Sequence, residues 1–125
     1  MRKNDDFEKY TIINPDPTLK NNLMAFGLEC DKGWYPLIYE LLDKIQAIVD
    51  SNPEYKDLQV VQIKEKFGSL RMYLNYDPKE ISDLIDEYER KSYVICEICG
   101  SNGVKRVNYG WYKTLCDKCY ENWIR

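Results

Sequence analysis

Residues 96–119 hold the reading that decides the fold: Cys96-Glu97-Ile98-Cys99-Gly100 and then Cys116-Asp117-Lys118-Cys119, with sixteen residues between the pairs. Four thiolates at these intervals can close a tetrahedral shell around one zinc ion. The chain contains no histidine, so an all-cysteine site is the common structural zinc site open to it. Such a shell leaves no position for water. The expected Zn2+ therefore folds the segment around it and does no catalysis.

Working outward, Val104–Tyr109 and Trp111–Leu115 alternate as a short hairpin turning near Gly110, and Tyr120-Glu121-Asn122-Trp123-Ile124 suits a helix. Knuckle, hairpin and a second cysteine pair at a helix start is the treble-clef order; a zinc ribbon would end on a strand instead. Upstream, Asp77-Pro78-Lys79-Glu80 reads as N-cap, first-position proline and capping-box acid, followed by the helical stripe Ile81, Leu84, Ile85 and Tyr88 to about Lys91.

Residues 58–76 read as a β-hairpin. Val61, Ile63, Leu70, Met72 and Leu74 are expected on the core face, with a three-residue turn near Phe67-Gly68-Ser69. Gln62, Lys64, Lys66, Arg71, Tyr73 and Asn75 then share the other face. Glu65 points inward and needs a basic or backbone N–H partner.

Before the hairpin, Gly33-Trp34-Tyr35-Pro36 opens a helix whose apolar stripe runs through Leu37, Ile38, Leu41, Leu42, Ile45, Ile48 and Val49, and Asp50-Ser51-Asn52-Pro53 ends it. A short strand is expected at Tyr10-Thr11-Ile12-Ile13. A helix capped by Asp16-Pro17, with Leu19, Leu23 and Phe26 on one face, is expected to stop at Gly27. The fold class is α+β: a small antiparallel sheet packed by helices, with a treble-clef or zinc-ribbon-like four-cysteine module. We expect residues 1–92 to form the body and residues 93–125 the module packed on it.

Composition narrows the function classes. The chain has 125 residues, 44% hydrophobic and 31% charged, with a net charge of −3. The central hairpin and the zinc region are its two basic segments. An acidic protein is a poor non-specific ligand for duplex nucleic acid, whose affinity comes from phosphate neutralisation. No apolar run approaches the roughly 20 residues of a membrane span. Met1-Arg2-Lys3-Asn4-Asp5-Asp6 lacks the apolar run of an export signal. A cytoplasmic site is expected, where paired cysteines are metal ligands and not disulfides. Cys30, the fifth cysteine, has no histidine to activate it and reads as an inert thiol. No nucleophile motif or phosphate loop is present, and a non-enzyme is expected. A homodimer is compatible with three tryptophans, eleven tyrosines and three phenylalanines in so small a chain.

Two groups of residues are candidates for binding. In the first, Lys64, Lys66 and Arg71 hold the phosphates of a small anionic, nucleotide-like ligand while Trp34 and Tyr73 stack on its ring. The plainer reading makes Trp34 a core plug and the lysines a solvated sheet face. In the second, Lys105, Arg106, Trp111 and Lys113 of the zinc module contact a protein or nucleic acid. Gly-Trp-Tyr occurs in both groups, at 33–35 and 110–112.

These motifs, Gly33-Trp34-Tyr35-Pro36-Leu37-Ile38, Lys64-Glu65-Lys66-Phe67-Gly68-Ser69-Leu70-Arg71, and Gly110-Trp111-Tyr112-Lys113-Thr114-Leu115-Cys116, resemble a family of small proteins encoded by bacteriophages and prophages. The resemblance covers about residues 28–120. It implies a viral accessory protein acting in a bacterial cytoplasm and transfers no catalytic residue. Family members usually carry a second glycine where this chain has Ser69, and often an acidic-glycine pair near Asp31-Lys32. The two resulting expectations are sequestration of a nucleotide-like ligand to evade antiviral defence and, alternatively, a zinc-module adaptor for a host or phage protein or nucleic acid.

Overall fold

The computed structural model describes residues 4–124. Helix α1 (Tyr35–Ser51) buries Leu37, Ile38, Leu41, Leu42, Ile45 and Val49, the stripe that its 3.6-residue period lines up. It stops at Asn52, whose side-chain amide donates to the Ile48 carbonyl (2.7 Å), with Pro53 beyond. Helix α2 (Lys79–Ser92) buries Ile81 and Tyr88. Its N-cap is Pro78 and not Asp77, and no side chain caps it. The Pro78 carbonyl instead accepts the N–H groups of Ile81 and Ser82, so the anticipated capping box does not form.

The body's sheet has three strands in the order β1 (Leu28–Glu29), β2 (Val60–Lys66), β3 (Ser69–Leu74). It is mixed: β1 runs parallel to β2, and β2 pairs antiparallel with β3. The register shifts between Val60 and Gln62, so Val60 and not Val61 faces the core beside Ile63. A bulge changes which side chains point inward, and simple alternation cannot anticipate it. The turn holds two residues, not three. Phe67 (φ 54) and Gly68 (φ 83) sit between the paired Lys66 and Ser69, as in a type I′ hairpin. Glu65 finds a backbone partner: its carboxylate accepts the Gly68 N–H at 2.7 Å.

The first part of the chain departs from expectation. Residues 10–13 form no strand. Ile12 and Ile13 are buried as side-chain plugs, and the Ile12 carbonyl takes one N–H, from Val60 (2.7 Å). The helix expected after Asp16 is reduced to turns and a short 3₁₀ segment, Met24–Phe26. Asp16 accepts the Thr18 N–H and Asn22 accepts the Met24 N–H, each at 2.9 Å. Short polar side chains bonded to their own backbone compete with the helix for those donors. Leu19, Leu23 and Phe26 are left exposed.

The four-cysteine module consists of the knuckle at Cys96–Cys99, the antiparallel pair β4 (Val104–Asn108) and β5 (Trp111–Leu115), and helix α3 (Asp117–Trp123). The final element is a helix, which gives the treble-clef order. Tyr109 (φ 52) and Gly110 (φ 83) make a second turn of the Phe67-Gly68 kind.

Backbone groups join the module to the body. Gly33 N–H donates to the Glu97 carbonyl (2.7 Å) and the Trp34 indole N–H to the Ile95 carbonyl (2.9 Å). A Cβ at Gly33 would collide with the carbonyl oxygens of Cys96 and Glu97, so only glycine allows this approach. Among the described residues no helix is long and apolar enough to cross a membrane.

Candidate metal centre and the surface beside it

Cys96 and Cys99 come from the knuckle, Cys116 from the N-cap of α3, and Cys119 from its first turn. Their Sγ atoms all lie within 4.8 Å of one another, and those of Cys99 and Cys116 are 3.7 Å apart. A tetrahedral ion with bonds of about 2.3 Å requires sulfur–sulfur edges of roughly 3.8 Å. The four cysteines together could hold a metal ion.

Neighbouring donors favour the thiolate forms. The Cys119 backbone N–H, aided by Ser101, holds the Cys116 thiol down to about 6, and Ser101 lowers Cys99. Cys30 is the opposite case: burial first, then Glu97 and Asp31, push its thiol up to about 12. It stands outside the cluster.

Glu97, between the two knuckle cysteines, is 2% exposed. Its carboxylate accepts the Asp31 N–H (3.0 Å) and pairs with Lys113 Nζ (3.2 Å). Burial raises its pKa, opposed by those two donors. The knuckle is thus clamped to both the body and β5.

The two expected binding groups fare differently. Trp34 is fully buried, with its N–H committed to Ile95. It has no face for a ligand, and its role as a stacking residue is corrected to that of a core plug. The physical reason is the seam at Gly33, which draws the indole under the knuckle. Arg71 lies across from Lys64 in the register, its Nε donating to Ser69 Oγ (3.0 Å) and facing Glu89 at 3.9 Å. Tyr73 is partly exposed opposite Gln62. Lys66 sits at the hairpin end with Nζ 5.7 Å from the Phe67 ring centre. These residues do not converge with Trp34.

In the second group, Arg106 is spent on Asp117 (2.6 Å) and the Leu115 carbonyl (3.2 Å), bracing the start of α3. Lys113 is spent on Glu97. Lys105 and Trp111 remain outward: the Lys105 ammonium lies 4.6 Å from the Tyr112 ring centre, and Trp111 is 74% exposed.

Trp111 has companions that the sequence reading missed. The two type I′ turns come side by side, and Phe67, Tyr109, Trp111 and Tyr112, with Glu65 and Lys66, line a groove of about 390 Å³. The Phe67 and Tyr112 rings meet edge to face at 6.3 Å. A second hollow of about 160 Å³ lies beyond Phe67, between Tyr93, Lys105 and Thr114. Thr114 Oγ1 donates to the Gly68 carbonyl (2.6 Å), locking the two hairpins together. A signal was present in the sequence. Phe67-Gly68 and Tyr109-Gly110 put an aromatic where a type I′ turn ordinarily takes asparagine or aspartate.

Compared with family models, with curated proteins and with solved structures, the chain matches none.

Proposed function

We propose that the chain is a non-catalytic binding protein, stapled by a structural zinc ion, that docks a macromolecular partner through the aromatic groove between its two hairpin turns. Zinc suits four thiolates in a closed tetrahedral shell, and such a shell serves folding. The observation that supports the docking role is the conjunction at the groove. Phe67, Tyr109 and Trp111 are 60%, 97% and 74% exposed, and the first two occupy left-handed backbone conformations that disfavour aromatic residues. Exposed aromatics retained at a backbone cost point to a partner. The resemblance to phage-encoded proteins supports a partner in a bacterial host. Sequestration of a small nucleotide through Trp34 has less support, because the indole is unavailable.

Immobilised zinc-loaded protein, wild type and Trp111→Ala, exposed to a bacterial extract tests the reading. The expected result is a macromolecule retained by the wild type and lost by the variant at equal zinc content and equal melting temperature. Retention indifferent to Trp111 would overturn it. Native mass spectrometry of the same sample gives zinc stoichiometry, subunit count and any small molecule carried along.

A further inference from the structure

Deepening the docking reading and resting on it, we propose that the occupant of the groove is single-stranded nucleic acid, held by stacking of unpaired bases on the hairpin aromatics. Charge is the first argument. Of the basic residues near the module's hairpin, Arg106 and Lys113 are neutralised by Asp117 and Glu97. Lys66 and Lys105 form no ion pair among the described residues, and each ammonium lies over an aromatic ring of the surface, Phe67 and Tyr112. Two uncompensated cations therefore stand beside the exposed rings, as base stacking combined with backbone phosphate pairing requires.

Shape is the second argument. The hollows of about 390 and 160 Å³ are separated by Phe67. Rings from three places, Phe67 on one turn, Tyr109 and Trp111 on the other, and Tyr93 beyond α2, offer faces to successive bases. A duplex hides its base faces and binds through phosphate charge. Two unpaired lysines at the groove, on a chain of net charge −3, are a weak match for it. Glu65 in the groove further disfavours phosphate there and leaves that space to bases.

Fluorescence anisotropy of labelled 12-mers tests the proposal with the full, zinc-loaded chain: oligo-dT, oligo-U and a 12-base-pair duplex. The single strands are expected to bind at least tenfold more tightly than the duplex and to quench tryptophan emission. The oligo-dT and oligo-U arms tell DNA from RNA. Two phosphate contacts predict a slope of log K against log salt near −1.4, about a sevenfold weakening between 50 and 200 mM. Trp111→Ala, Phe67→Asn and Tyr109→Asn should each weaken binding several-fold. The asparagine variants suit the turn geometry, so lost affinity with an unchanged or higher melting temperature marks a contact and not a folding defect. Duplex bound as well as single strand, or affinity untouched by all three substitutions, overturns the proposal. So does the absence of oligonucleotide binding; if Trp111 still governs retention of a protein from the extract, the docking reading stands and only the nucleic-acid occupant is lost.

Discussion

Tyr109 shows what one residue can reveal. It occupies φ 52 and is 97% exposed, so its ring earns no burial energy to offset the left-handed backbone. Replacing it by asparagine should stabilise the chain by about 1 kcal/mol, read as a higher urea midpoint at constant slope. Phe67 is less clear-cut, since it would lose the edge contact with Tyr112 as it gained backbone ease. The two Gly-Trp-Tyr tripeptides make a related point. Trp34 is sealed in the core, and Trp111 stands in solvent. Identical local sequence cannot separate these fates, because the difference is tertiary: the knuckle's carbonyls close over Gly33, while nothing lies within 4 Å of a Cβ built at Gly110.

Among the elements, the β2–β3 hairpin depends on Glu65, whose carboxylate holds the Gly68 N–H at the turn. Charge-assisted bonds of this kind contribute about 1.5–3 kcal/mol. Glu65→Ala is expected to cost roughly 1.5 kcal/mol, partial exposure discounting the upper figure, and to speed hydrogen exchange at the Gly68 amide ahead of the rest of β3. The legible elements were those with a long period. The stripe of α1 over Leu37–Val49 admits one solution, and the cysteine spacing fixes the four-cysteine cluster while leaving treble clef and zinc ribbon to be told apart by the last element. The stretch before residue 28 lacked such redundancy. Asp16 and Asn22 took the backbone donors a helix needed, and Ile12 reached the core without pairing in a sheet. The two aromatic turns could be read in the sequence, but not the groove they share, because its rings come from two hairpins far apart in the chain, brought together by the Thr114–Gly68 bond.

At the scale of the whole molecule, the seam ties the four-cysteine cluster to the body. Glu97 bonds Gly33 through its carbonyl and Asp31 through its carboxylate, and Trp34 bonds Ile95. On the proposed zinc reading, removing the ion with a chelator should therefore disturb more than the module. The near-ultraviolet signal of buried Trp34 and the far-ultraviolet signal of α1 should change in one transition, as followed by circular dichroism. Two separated transitions would mean that the body holds without the metal. Acid should act in the same direction, because protonated cysteines do not ligate zinc: release grows as pH falls, and restoring pH with zinc present should bring both signals back.

The same seam sets an order of events during synthesis. The acceptor for the Trp34 indole lies 61 residues downstream, a distance the ribosome covers in about 3–12 seconds. Cys116 and Cys119 emerge later still. Throughout that interval α1 has its apolar stripe but no lid over its leading tryptophan, and the nascent body waits on residues not yet made. Capture of the proposed zinc ion then has to wait until both cysteine pairs have been made. The yield of folded protein in a cell would then follow the zinc on hand once Cys119 has emerged, not only the affinity of the finished site.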